Sequence, residues 1–108
     1  NAARVGARLK DGLAALADRH PLIGDVRGRG LMVGVELVRD RTARTRAVEE
    51  RNAVVRAAFE RGLLVLGAGR NTVRFCPPLV LTESEADTAV RIFGEALSAV
   101  EEASGLVR

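Results

Sequence analysis

A single cysteine, Cys76, and a single histidine, His20, stand in a chain of 108 residues that has no tryptophan and no tyrosine. One cysteine excludes an internal disulfide and fits a reducing compartment, so a cytoplasmic location is expected. One thiol and one imidazole cannot complete a zinc site of the usual ligand spacing, and no metal is expected. Three phenylalanines are the only aromatics, which leaves little from which to build a surface that stacks nucleic-acid bases. Lysine is nearly missing: all of the 17 basic residues but Lys10 are arginine. Schiff-base chemistry therefore has one candidate amine, and Lys10 falls on the polar side of a helical pattern where nothing desolvates it. No apolar run approaches the ~18–20 residues that cross a bilayer. The first residues lack the charged flank, apolar core and cleavage site of a secretory leader, so none is expected.

What is present suits one domain with a real core, since 47% of the residues are hydrophobic. Charge is unevenly spread. Residues 19–74 carry twelve arginines against six acids, and residues 75–108 carry two against six. That asymmetry raises the question of an anionic partner, although arginine alongside Ala, Val, Gly and Leu also matches a GC-rich coding bias.

Val5, Leu9, Leu13 and Leu16 mark one face of a first helix running to about Arg19. No cap precedes it, as if the pattern continued from something longer. His20 before Pro21 reads as a loop residue. Ile23–Arg27 and Leu31–Val38 around Gly28-Arg29-Gly30 read as a β-hairpin, with Leu31, Val33, Val35 and Leu37 facing the core. Met32, Gly34 and Glu36 share the other face, where Gly34 would permit close approach of another backbone or domain. The glycine turn is not followed by a helix, which argues against a phosphate loop. Residues 39–46 read as a solvated connection. Thr45 would cap a second helix with Val48, Val55, Ala58 and Phe59 on its apolar side, stopped by Gly62. Leu63–Leu66 reads as a short buried strand, and residues 67–71 turn the chain into a strand bearing Arg74. Thr82 and Glu85 have the spacing of a capping box, followed by a stripe of Ala86, Val90, Phe93, Leu97 and Val100. The order predicts an α+β two-layer sandwich: a small, mostly antiparallel sheet of about four strands with helices on one face.

Arg74 is the most informative side chain. It sits in Asn71-Thr72-Val73-Arg74-Phe75-Cys76-Pro77-Pro78, on a strand that ends at a double proline before a capped helix. A planar charged fork on a rigid mount suits bidentate capture of a carboxylate. The plainer alternative is a strand arginine in a surface salt bridge. No complete catalytic site accompanies it. His20 and Cys76 lie in unrelated elements, Cys76 reads as inert packing between Phe75 and Pro77, Glu36 stands alone, and the acids of the last helix read as its solvated side. A nucleic-acid-binding sheet and a stand-alone ferredoxin-like ligand domain are the rival readings.

Taken together, Val26-Arg27-Gly28-Arg29-Gly30-Leu31-Met32-Val33-Gly34-Val35-Glu36-Leu37 resembles the "RGxGLMxGVEL" hairpin of class III pyridoxal-phosphate aminotransferases, the group of ornithine, acetylornithine and 4-aminobutyrate aminotransferases. Arg61–Leu66 followed by Thr72–Leu79 is similar to their "RGLL…RxxPPL" close. The resemblance reaches from the first helix to about Glu102. It implies the C-terminal small domain of a fold-type I dimeric enzyme about four times this length, with residues 1–103 as that domain and 104–108 as a tail. It implies that Arg74 holds the substrate carboxylate, or pairs with a large-domain glutamate when an ω-amino acid is bound. The pyridoxal 5'-phosphate, its lysine and its phosphate-binding groups would belong to the large domain, leaving no catalytic or cofactor-binding residue here and this piece inactive alone. It further implies an ω-amino acid donor of the 4-aminobutyrate or ornithine type, 2-oxoglutarate as acceptor, and homodimers with neither nucleic acid nor membrane as partner. Some members are racemases or aminomutases on the same scaffold.

Overall fold

The computed structural model describes residues 2–30, 32–77 and 81–105. Helix α1 (Ala2–Leu16) leads into the hairpin β1 (Ile23–Arg29) and β2 (Met32–Asp40). Then come β3 (Thr45–Arg46), α2 (Val48–Glu60), β4 (Leu66–Ala68), β5 (Thr72–Phe75) and α3 (Glu83–Ser104). The sheet runs β1-β2-β5-β4, every pair antiparallel, with β3 beside β2. Helix α1 packs on β1 and β2, α2 packs on β2, β4 and β5, and α3 lies against both helices. This is the expected α+β sandwich, with a fifth, two-residue strand added.

Strand alternation builds the core. Val33, Val35 and Leu37 of β2 and Val73 and Phe75 of β5 are buried with Leu9, Leu13, Phe93 and Leu97 from the helices. Phe75 and Phe93 meet edge to face, their ring centres 4.9 Å apart. Leu31, expected on the same face, lies outside the described residues.

Several local expectations change. Helix α1 ends three residues early, in tight turns that return the Ala17 and Arg19 N–H groups to the Ala14 and Leu16 carbonyls. The β1–β2 turn falls later than the two-glycine spacing suggests, with Arg29 still paired to Met32. Gly28 lies inside the strand, where only glycine fits, since a Cβ would come within 2.4 Å of the Met32 carbonyl. Thr45 caps no helix: it pairs with Asp40 in β3, and α2 begins after Ala47 without a side-chain cap. The face of α2 also differs, since Val54, Ala57 and Ala58 are buried while Phe59 is 67% exposed. Gly62, at φ +90°, does stop that helix, with its own N–H and that of Leu63 returning to the Phe59 and Ala58 carbonyls. Leu63–Leu66 is not a buried strand: Leu64 is 74% exposed, only Val65 is buried, and pairing starts at Leu66. Residues 39–46 are exposed as expected, yet their side chains are engaged. The Arg41 guanidinium donates to the carbonyls of Ala17, His20 and Ile23, and Arg39 and Arg44 pair with Glu50 and Glu36.

One acid of α3 is not on its solvated side. Glu101 is only 4% exposed and His20 only 7%. The Glu101 carboxylate accepts from His20 Nδ1 at 2.8 Å and from the Leu22 N–H at 3.2 Å. This pair closes the link between α1 and β1 against the last turns of α3. The capping box at Thr82 is formed as expected, with Glu85 N–H donating to the Thr82 hydroxyl and Thr82 N–H to the Glu85 carboxylate.

Two outcomes follow for stability. Glu101→Ala leaves His20 and the Leu22 N–H buried without a partner and should cost about 2–4 kcal/mol in urea denaturation. A loss of about 0.5 kcal/mol or less would mark Glu101 as an ordinary surface acid. The second outcome concerns acid. Burial by itself raises the Glu50 carboxyl, but the hydrogen bond from Arg39, a backbone N–H and the Arg39 charge outweigh it and hold the group below its ordinary 4.5. The Arg8 fork holds Asp87 below its ordinary 3.8, and the Thr82 N–H and hydroxyl hold Glu85 down. Each folded value lies below the unfolded one, so the stability is present above the ordinary values and is lost as pH falls through the lowered ones. Urea midpoints should therefore drop below about pH 4 and stay level above about pH 5, with a shallower drop in Glu50→Gln. Midpoints that do not change across this range would sink the assignment.

Candidate functional site

Burying Val73 and Phe75 turns Arg74, between them, to the face away from the helices. That face is open. Across the sheet Arg74 stands opposite Gly34 of β2 on one side and Leu66 of β4 on the other, and Arg27 of β1 lies beyond Gly34 in the same row. The Leu37 N–H bonds to the Asn71 carbonyl directly opposite. By alternation, Gly34 and Arg74 then form a non-hydrogen-bonded pair, the closer kind, with Cα atoms about 4.5 Å apart. Gly34 is not crowded by this chain: the nearest atom to an added Cβ is Thr72 Cγ2 at 3.4 Å. It leaves a shallow floor beside the Arg74 side chain.

The guanidinium is exposed and makes no hydrogen bond or ion pair with another described residue. The surface salt bridge of the plainer alternative is not formed among the described residues. Neighbouring acids are already engaged: Glu36 pairs with Arg44, and Asp25 lies 3.7 Å from Arg27. Arg8, Arg39 and Arg91 all have carboxylate partners. Arg74 thus presents an uncompensated charged fork, flanked by the exposed apolar side chains of Met32 and Leu66. Two parallel N–H···O bonds to an incoming carboxylate are what this geometry can offer.

The other sequence candidates do not converge on it. Lys10 is half-buried on α1, in the helical layer on the opposite side of the sheet. His20 is committed to Glu101. Cys76 is exposed rather than packed, and it borders a groove of about 420 Å³ with Leu63, Leu64, Pro77 and Leu81. Pro78, the second proline of the expected mount, lies outside the described residues. No group of three or more His, Cys, Asp or Glu gathers among the described residues, and no described helix is long and apolar enough to cross a membrane. Phe75 is buried against Phe93, which removes the one aromatic that could have served as a stacking platform on the sheet. Sequence reasoning missed Asn71 and Arg51, whose side chains hold the backbone of the Arg74 hairpin.

Comparison with known proteins points one way. Residues 1–97 match the class-III aminotransferase family. The chain is 40% identical over 98% of its length to a taurine–pyruvate aminotransferase of Bilophila wadsworthia, of which it covers 25%. It is 44% identical over 91% of its length to the mitochondrial alanine–glyoxylate aminotransferase 2 homolog 2 of Arabidopsis thaliana, of which it covers 21%. The omega transaminase of Pseudomonas jessenii in complex with PMP superposes with a TM-score of 0.90 at 35% identity, over 97% of this chain and 23% of that one. The chain spans about a quarter of the length of the curated relatives it matches.

Proposed function

The chain belongs to the class III aminotransferases, and from that premise we propose that its open sheet face supplies the substrate-carboxylate receptor of a pyridoxal-phosphate-dependent transaminase. Arg74 is the receptor. The observation that carries this reading is an exposed guanidinium on a central strand with no partner among the described residues, while the acids around it are already paired. Arg74 binds and orients the carboxylate of the amino acid or 2-oxo acid through its planar fork. It moves no proton, because a guanidinium stays charged throughout the working pH range. When a donor presents no carboxylate there, the fork pairs with an acidic group of the remaining protein.

The residues described do not fit a resident cofactor by themselves. Its lysine would have to be Lys10, which lies in the helical layer across the sheet from Arg74. We therefore assign the cofactor and its chemistry to a large domain outside this chain, with residues 1–103 as the small domain and 104–108 as a tail. This chain alone would then not turn over. Met32 and Leu66, exposed beside Arg74, would pack against that large domain.

In the whole enzyme, Arg74→Ala should remove a charge-assisted bidentate contact of about 2–5 kcal/mol. That is roughly 30- to several-thousand-fold in kcat/KM for a substrate carrying the carboxylate. Arg74→Lys should recover only part of the loss, and a carboxylate-free amine should be nearly unaffected. Equal losses for both substrate types would make Arg74 a structural residue. Within the class, the wording of the hairpin and of the Arg74 strand supports an ω-amino donor of the 4-aminobutyrate or ornithine type with 2-oxoglutarate. A panel of donors and acceptors tests this finer assignment. A preference for taurine with pyruvate would replace it and leave the role of Arg74 standing.

A further inference from the structure

Strand β5 is four residues long, so few ladder bonds define where Arg74 points. A slip of one residue would turn Val73 and Phe75 to solvent and Arg74 into the core, and far smaller shifts would misplace the fork. Two side chains outside the open face hold the start of this strand. Asn71 is buried, and its Nδ2 donates to the Leu37 carbonyl at 2.7 Å while its own carbonyl accepts the Leu37 N–H at 2.8 Å. Its amide thereby stands where the strand's backbone N–H would otherwise donate. Arg51, on α2, grips the same hairpin from the helical layer. Its Nη1 donates to the carbonyls of Thr72 at 2.9 Å and Ala68 at 3.2 Å, and its Nη2 to that of Gly69 at 3.4 Å. The guanidinium lies so close over Gly67 that a Cβ there would come within 2.9 Å of it.

We propose that Asn71 and Arg51 are positioning residues that fix the register of β5 against β2 and β4, and through it the aim of Arg74 at the substrate carboxylate. Asn71 ties β5 to β2, and Arg51 ties β4, the turn and β5 to one helix. Thr72, whose carbonyl Arg51 holds, lies two residues before Arg74 on the same face, so a displacement there reaches the fork directly. The proposal rests on the carboxylate-binding role of Arg74.

The test uses the whole enzyme carrying Asn71→Asp, Arg51→Lys or Arg74→Ala. Each is assayed with a carboxylate-bearing donor, L-alanine, and with a simple carboxylate-free primary amine. Asn71→Asp keeps the shape but replaces the donor with an acceptor facing the Leu37 carbonyl. Arg51→Lys keeps the charge but cannot span three carbonyls. Both should lower kcat/KM for L-alanine about 10- to 100-fold, chiefly through KM, and change that for the amine less than about threefold. A merely structural role lowers the amount of active enzyme and so reduces both substrates equally. Equal losses in Asn71→Asp and Arg51→Lys, with Arg74→Ala still selective, overturn the positioning role alone. An unselective Arg74→Ala overturns the carboxylate reading and this proposal with it. Should Asn71→Asp not fold, Arg51→Lys carries the same comparison.

Discussion

Burial of Val73 and Phe75 beneath the helices is the constraint from which the site follows. Strand geometry places alternate side chains on opposite faces, so a core that takes residues 73 and 75 must send residue 74 out. Phe75 is further held by its edge-to-face contact with Phe93. The same packing that stabilises the domain therefore aims the Arg74 guanidinium at the outer face of the sheet. If Arg74 binds the carboxylate as proposed, activity and stability are coupled through a single four-residue strand.

Part of the arginine excess has a structural explanation. Arg41, Arg51 and Arg61 spend their donors on backbone carbonyls at the ends of elements, where turns leave acceptors that need partners. Arg8, Arg39, Arg44 and Arg91 hold acids on neighbouring elements. A polyanion-binding surface would instead leave such groups clustered and unpaired on one face. The exposed pairs add little stability individually, but the Arg44–Glu36 pair neutralises the acid on Arg74's own face of the sheet.

Much of this was legible because it rests on local periodicity. The α1 stripe, the alternation in β2, the Thr82 capping box and the stop at Gly62 are all short-range patterns, and the resemblance to a known family added the carboxylate role proposed for Arg74. The misses have a common origin in contacts distant along the chain. Thr45 has good capping chemistry, yet pairing with Asp40 claimed it for a strand. Phe59 looks like a core residue of α2, yet the helix turns its small residues Ala57 and Ala58 inward. Arg51 and Asn71 look like ordinary polar residues because the carbonyls they hold lie on other elements. Glu101 was the avoidable miss. Phe93, Leu97 and Glu101 recur at spacings of four, which places the acid on the buried stripe, and an acid there calls for a buried donor such as His20.

The His20–Glu101 contact joins residues 81 positions apart, and this has a consequence for how the domain comes into being on the ribosome. Synthesis delivers His20 and Leu22 about eighty residues before their acceptor. Until α3 has emerged, the end of α1 and the entry to β1 have a polar imidazole and a free amide that cannot be sealed without penalty. The nascent chain is therefore held back from closing its helical layer around an incomplete set of elements. Closure of the helical layer becomes a late event that waits for α3. Truncation within the last turns of α3 would remove the latch together with the buried Val100 beside it.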